Sequence, residues 1–144
     1  MTFLLDTNVL SEMVRPQPDA GVAEWLADAD EDQVFLSVVT LAELRLGIAR
    51  LNVGRRRQRL DAWLRAELLP RFEGRIVRVD SGIALTWGDV TAECAAAGRP
   101  IEAMDALIAA TARVHGFELV TRNTRDFEAA MISTRNPWSG AARA

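Results

Sequence analysis

The 144-residue chain has no lysine and no tyrosine, and only one cysteine (Cys94) and one histidine (His115). All 17 of its basic residues are therefore arginine. That excludes a Walker-type phosphate loop with its lysine, Schiff-base chemistry, and a receiver domain with a lysine beside its acids. Without tyrosine there is no phenolic acid or nucleophile. A single cysteine and a single histidine make neither a Cys/His zinc site, nor an internal disulfide, nor a thioredoxin-like pair. No apolar run reaches the roughly 18 residues of a membrane span, so none is expected. One free thiol and no apolar leader point to a reducing, cytoplasmic compartment. What the chain has in quantity is carboxylate, 20 Asp and Glu in all.

With 49% hydrophobic and 26% charged residues the chain can build a packed core, and its length suits one domain over residues 1–144. Charge is unevenly spread. Residues 1–53 hold 3 Arg and 9 acids, residues 54–79 hold 8 Arg and 3 acids, and residues 80–144 hold 6 Arg and 8 acids. The basic middle segment, densest at Arg55, Arg56, Arg57 and Arg59, reads either as a solvated helix face or as a strip that follows a phosphate backbone.

The hydrophobic period alternates between two and 3.6, the mark of an α/β domain. Strands are predicted at Thr2 to Leu5, Val34 to Ser37, Ile76 to Val79 and Glu118 to Thr121. Helices are predicted at Ala20 to Ala29, Leu41 to Leu51, Arg56 to Leu68, Ser81 to Ala97, Ala103 to His115 and Phe127 to Met131. Helices between strands imply a mostly parallel sheet.

Four carboxylates stand at informative places in that alternation. Asp6 ends the first strand, where an acid serves as a helix cap or as a ligand at the carboxyl edge of a parallel sheet. Glu43 closes the pattern Thr40-Leu41-Ala42-Glu43, which reads as a capping box and equally as a carboxylate in the first turn of a helix near that edge. Asp105 opens a helix among Met, Ala, Leu and Ile. The helix dipole favours an acid there, yet so apolar a setting asks for a partner or a metal. Asp126, with Asn123 before it, follows the fourth strand and reads equally as a helix cap. Were these acids to meet, two carboxylates about 5 Å apart would repel by roughly 3 kcal/mol at an effective dielectric of 20. A divalent cation removes that cost. With oxygen donors only, Mg2+ or Mn2+ fits better than zinc, and the chemistry implied is phosphodiester hydrolysis.

The strings FLLDTNVLSE, LSVVTLAELRLG, AMDALIAATA and LVTRNTRDF, in this order, resemble the PIN-domain ribonucleases, in particular the VapC and FitB type toxins of bacterial toxin–antitoxin pairs. The resemblance covers nearly the whole chain, including the closing Asn136-Pro137-Trp138. It implies a three-layer α/β/α fold and a Mg2+- or Mn2+-dependent endoribonuclease of structured RNA such as tRNA or rRNA. It implies Asp6, Glu43 and Asp105 as the acidic metal-site positions, with Thr7, Asn8, Thr40 and Thr121 as polar support. Some relatives carry an acid where this chain has Asn123, which leaves Asn123 or Asp126 for the fourth position. The resemblance further implies a homodimer bound to a cognate antitoxin, with DNA engaged only through that partner. The competing readings are a non-cleaving PIN-like module that binds RNA or the antitoxin, and a small-molecule phosphatase, which lacks a phosphate-cradling glycine loop here. His115, Cys94, Arg15 and the four tryptophans are assigned no chemistry; Trp138 among them reads as a packing residue.

Overall fold

The computed structural model describes residues 1–140. The chain runs β1 (Phe3–Leu5), α1 (Thr7–Met13), α2 (Ala20–Asp28), β2 (Val34–Ser37), α3 (Val38–Ala49), α4 (Arg55–Ala62), a π-helical stretch (Trp63–Leu68), α5 (Leu69–Arg71), β3 (Ile76–Val77), α6 (Ser81–Ala96), α7 (Ala103–His115), β4 (Glu118–Val120), a 3-10 segment (Thr124–Ala130) and β5 (Thr134–Arg135). The five strands form one sheet in the order β3-β2-β1-β4-β5, and every pairing is parallel.

Alternation along the central strands divides the core in two. Leu4 and Leu119 face one side, against Ile83, Val90 and Cys94 of α6 and Ala106, Ile108, Ala109 and Ala110 of α7. Leu5 and Val120 face the other, against Val9 and Leu10 of α1, Val22 of α2, Leu44 and Ile48 of α3, and Leu64 and Leu68. Successive strand residues point to opposite faces, so two apolar neighbours per strand serve two helical layers. The arrangement is the expected three-layer α/β/α fold. The run of alanines lets α7 approach the sheet closely, and Gly116, at φ 70°, ends the helix in the left-handed region that a residue with a Cβ adopts at a cost.

Four elements depart from the sequence reading. Helix α3 starts at Val38, directly after β2, because the Ser37 hydroxyl accepts the Val39 N–H at 3.0 Å and caps it. Thr40 therefore lies inside the first turn, and the capping box expected of Thr40 and Glu43 does not form. The helix expected over Arg56 to Leu68 starts at Arg55, widens into the π-helical stretch and continues to Arg71. The helix expected from Phe127 begins at Thr124 as a 3-10 segment, after Asn123. Strand β5, two residues long and polar, has no hydrophobic run to announce it.

Candidate functional site

A parallel sheet leaves a crevice beyond its carboxyl edge where the strand order changes direction. Here that place lies between β1 and β4, with α3 and α7 starting beside it. Asp6 follows β1 directly. Its N–H continues the sheet ladder onto the Val120 carbonyl at 2.9 Å, so its backbone is fixed by β4. Its carboxylate caps α1, accepting the Thr7 N–H at 2.9 Å on Oδ1. On Oδ2 it accepts the Thr121 hydroxyl at 2.8 Å. That hydroxyl in turn accepts the Asn8 side-chain amide at 3.2 Å and the Asn123 N–H at 3.0 Å. Asp6 is 6% exposed. Burial pushes its pKa up, and the hydrogen bonds from Thr121 and Thr7 pull against that.

Glu43, half-buried on α3, reaches toward Asp6 rather than back to its own helix. Its Oε1 accepts the Thr7 hydroxyl at 2.8 Å. Thr7 thus ties the two acids together, its N–H on Asp6 and its hydroxyl on Glu43. Burial raises the Glu43 pKa first, then the negative charges of Asp6 and Glu102, with the Thr7 hydrogen bond opposing.

Asp105 is the third residue of α7. The cap of that helix is Glu102, whose carboxylate accepts the Asp105 N–H at 3.3 Å. The Asp105 carboxyl is left free of capping duty. It is pushed up to about 7, by burial first and then by the charges of Asp6, Glu102, Glu43 and Asp126.

These groups share one cleft of about 440 Å3, lined among others by Asp6, Thr7, Asn8, Glu43, Asp105 and Asn123. Two other candidates stand elsewhere. Asp126 is exposed on the 3-10 segment and lies outside the lining, although its charge reaches both Asp6 and Asp105. Thr40 is fully buried, also outside the lining, and its hydroxyl has no hydrogen-bond partner among the described residues.

The cleft also holds residues that the sequence reading passed over: Ser11, Glu12, Arg15, Arg122 and Trp138. Asn8, Ser11, Glu12 and Arg15 recur at three- and four-residue intervals, so the helical period of α1 was the signal that placed them on one face. Glu12 is buried and occupied, accepting the Asp19 N–H at 2.9 Å and the Arg15 guanidinium at 3.3 Å. No comparable signal existed for Arg122 and Trp138, which are 16 residues apart and meet only in the fold.

Charge is the test of whether a cation suits this cleft. With all four carboxylates ionised (Asp6, Glu12, Glu43, Asp105), the two guanidiniums (Arg15, Arg122) leave a deficit of two positive charges, which one divalent ion supplies. The donors are hard oxygens, the type that Mg2+ and Mn2+ take. Among the described residues no three His, Cys, Asp or Glu side chains are drawn into a closed metal cage. The donor set therefore fits a divalent ion in type and in charge, within an open cleft.

The chain matches the PIN domain over residues 3–131. It is 42% identical over 136 residues to the toxin FitB of Neisseria gonorrhoeae, covering 94% of this chain and 98% of that protein. It is 39% identical over 139 residues to the VapC ribonuclease Y4jK of Sinorhizobium fredii, covering 96% and 99%. Among solved structures it superposes on a chain of the FitAB complex bound to an IR36 DNA fragment with a TM-score of 0.92 and 38% identity, over 99% of this chain and 100% of that one.

Proposed function

The chain belongs to the PIN-domain family, and from that premise we propose that it is a Mg2+- or Mn2+-dependent endoribonuclease acting as the toxin of a toxin–antitoxin pair. Its substrate is structured RNA, tRNA or rRNA. The observation that carries this reading is the convergence of Asp6, Glu43 and Asp105 on one cleft, with Thr7 hydrogen-bonded to the first two. These three carboxylates would hold the ion. When bound, it supplies Lewis-acid activation of the phosphodiester and of the attacking water.

The protein's own groups prepare that chemistry. Thr121 and the Thr7 N–H lock both oxygens of Asp6, so this carboxylate is oriented before a ligand arrives. The Thr7 hydroxyl does the same for Glu43. Asp105, with a pKa of about 7, is poised to exchange a proton for a cation close to neutral pH. At the fourth position Asn123, which lines the cleft, offers its amide; Asp126 acts at a distance through its charge.

The partner follows from the same premise: a cognate antitoxin, a homodimeric assembly, and DNA reached only through the antitoxin. We also assign the whole chain to one PIN-like unit and place it in the cytoplasm, in keeping with the finding that no helix among the described residues is long and apolar enough to cross a membrane.

Purified protein is expected to cleave tRNA or rRNA with Mg2+ or Mn2+ and to stop with EDTA. Asp6→Asn and Asp105→Asn are expected to lower cleavage by at least about 100-fold while the circular dichroism spectrum stays that of the parent. Equal cleavage by these variants would falsify the assignment. If wild type is silent and Asn123→Asp creates activity, the non-cleaving binding module is the correct reading.

A further inference from the structure

Arg122 is one of two cations in a cleft whose other charged residues are acids, and the two are differently engaged. Arg15 is neutralised by Glu12 at 3.3 Å. Arg122 forms no ion pair among the described residues, even with acids lining the same cleft, so its charge is left for something else. Its position is nonetheless built. Its N–H donates to Asn8 Oδ1 at 3.3 Å, and its carbonyl accepts from the Asn136 side-chain amide at 3.4 Å. The other end of the Asn136 amide, Oδ1, accepts the Trp138 N–H at 2.9 Å. Trp138 is buried, and the Arg122 guanidinium lies over its ring at 5.4 Å from the centroid. A cation seated on an aromatic face keeps its N–H edges free for a second partner. The segment Asn136-Pro137-Trp138, to which the proposed chemistry gives no part, thus supports Arg122 while Trp138 also packs in the core beside Leu5, Val9 and Val22. It is anchored in turn by Asp19, which accepts the Ser139 N–H at 2.9 Å and the Ser139 hydroxyl at 2.5 Å.

A polyanion entering this cleft is opposed by its carboxylates, Asp6 and Glu12 buried and Glu43 and Asp105 part-buried, whereas Arg122 is exposed. A guanidinium on its rim, held in place with its fork unoccupied, matches a phosphate diester in charge and in bidentate geometry. We propose that Arg122 is a substrate-binding residue that grips an RNA backbone phosphate at the edge of the acidic cleft, and that Asn136 and Trp138 are its positioning residues. This rests on the nuclease reading for the identity of the phosphate's owner and adds the residue that holds it.

The test is binding of fluorescein-labelled total tRNA, followed by anisotropy in Mg2+ over a series of salt concentrations, in the Asp105→Asn background so that the probe survives. Arg122→Ala is expected to weaken binding about tenfold and to reduce the slope of log affinity against log salt by about 0.7 to 0.9, the loss of one phosphate contact. Arg122→Lys keeps the charge and is expected to retain the slope while losing affinity severalfold; it carries the test should the alanine variant fold poorly. In the otherwise wild-type protein, the thermal shift produced by Mn2+ is expected to be the same for Arg122→Ala as for the parent. Unchanged tRNA affinity and slope in Arg122→Ala overturn the proposal, as does loss of its Mn2+ shift, which would place Arg122 in service of the acids. The nuclease reading fails separately, through absence of cleavage by wild type in Mn2+, and the binding titration still reports on Arg122 in that case.

Discussion

Asp105 shows how one side chain connects stability to ligand binding. Its carboxyl ionises near pH 4 in the unfolded chain and at about 7 in the folded one. Between those values the native state carries a proton that the unfolded chain has lost, so this group makes the metal-free protein less stable as pH rises from 4 to 7, with no further change above. Thermal unfolding in EDTA is expected to show that decline, and Asp105→Asn to remove it. At pH 8 the variant is expected to melt about 3 °C above wild type, corresponding to roughly 1 kcal/mol once half-exposure of the group is discounted. A variant that melts lower in EDTA would mean that the carboxylate has a structural partner. At this scale the sequence was informative about chemistry and less so about duty. Asp6, Glu43 and Asp105 stand out by type and place, but the capping box open to Thr40 and Glu43 does not form, since Ser37 caps α3, and the cap of α7 is Glu102. A serine buried at a strand end and a glutamate after a Gly-Arg-Pro turn lack the usual N-cap spacing, so only the fold reveals them.

Elements were legible where burial wrote a period into the chain, as in α6, α7 and the three central strands. They were illegible where geometry comes from long-range contact. The π-helical stretch, the polar edge strand β5 and the segment leading to Trp138 have no local signature. That last segment depends on Gly21 in the first turn of α2. A Cβ there would lie 2.5 Å from both the Pro137 carbonyl oxygen and the Ser139 nitrogen, backbone atoms that cannot swing aside. Gly21→Ala is therefore expected to displace residues 137–139, cost about 1 to 3 kcal/mol, and shift tryptophan emission to the red as Trp138 meets water. The Asp19 carboxylate that faces this segment is held down to about 2, by hydrogen bonds from Ser139 first, and so stays ionised through ordinary acid conditions. An unmoved melting temperature and emission in Gly21→Ala would show that the segment is not packed as described.

For the whole molecule the site is an electrostatic compromise. The folded chain brings together carboxylates that the extended chain keeps apart, and on the proposed reading a divalent ion would return what the fold loses by gathering them. Mn2+ at about 100 times its dissociation constant is expected to raise stability by roughly 2.7 kcal/mol at neutral pH, with the gain shrinking as the medium is acidified below the Asp105 pKa and protons compete for the same oxygens. Calorimetry with and without EDTA at pH 6 and pH 8 checks both parts; equal shifts at the two values would remove Asp105 from the ion's surroundings. The three-layer architecture and the acids at its carboxyl edge could be read from the chain. The wall that Arg122 and Trp138 form could not, because it joins residues from two late segments through the Asn136 side chain and ties them to α1 through Asn8. That wall also makes the two halves of the cleft separable by where the chain stops. A truncation ending before Asn136 would retain Asp6, Glu43, Asp105 and Arg122 but remove the Trp138 ring beneath the Arg122 guanidinium.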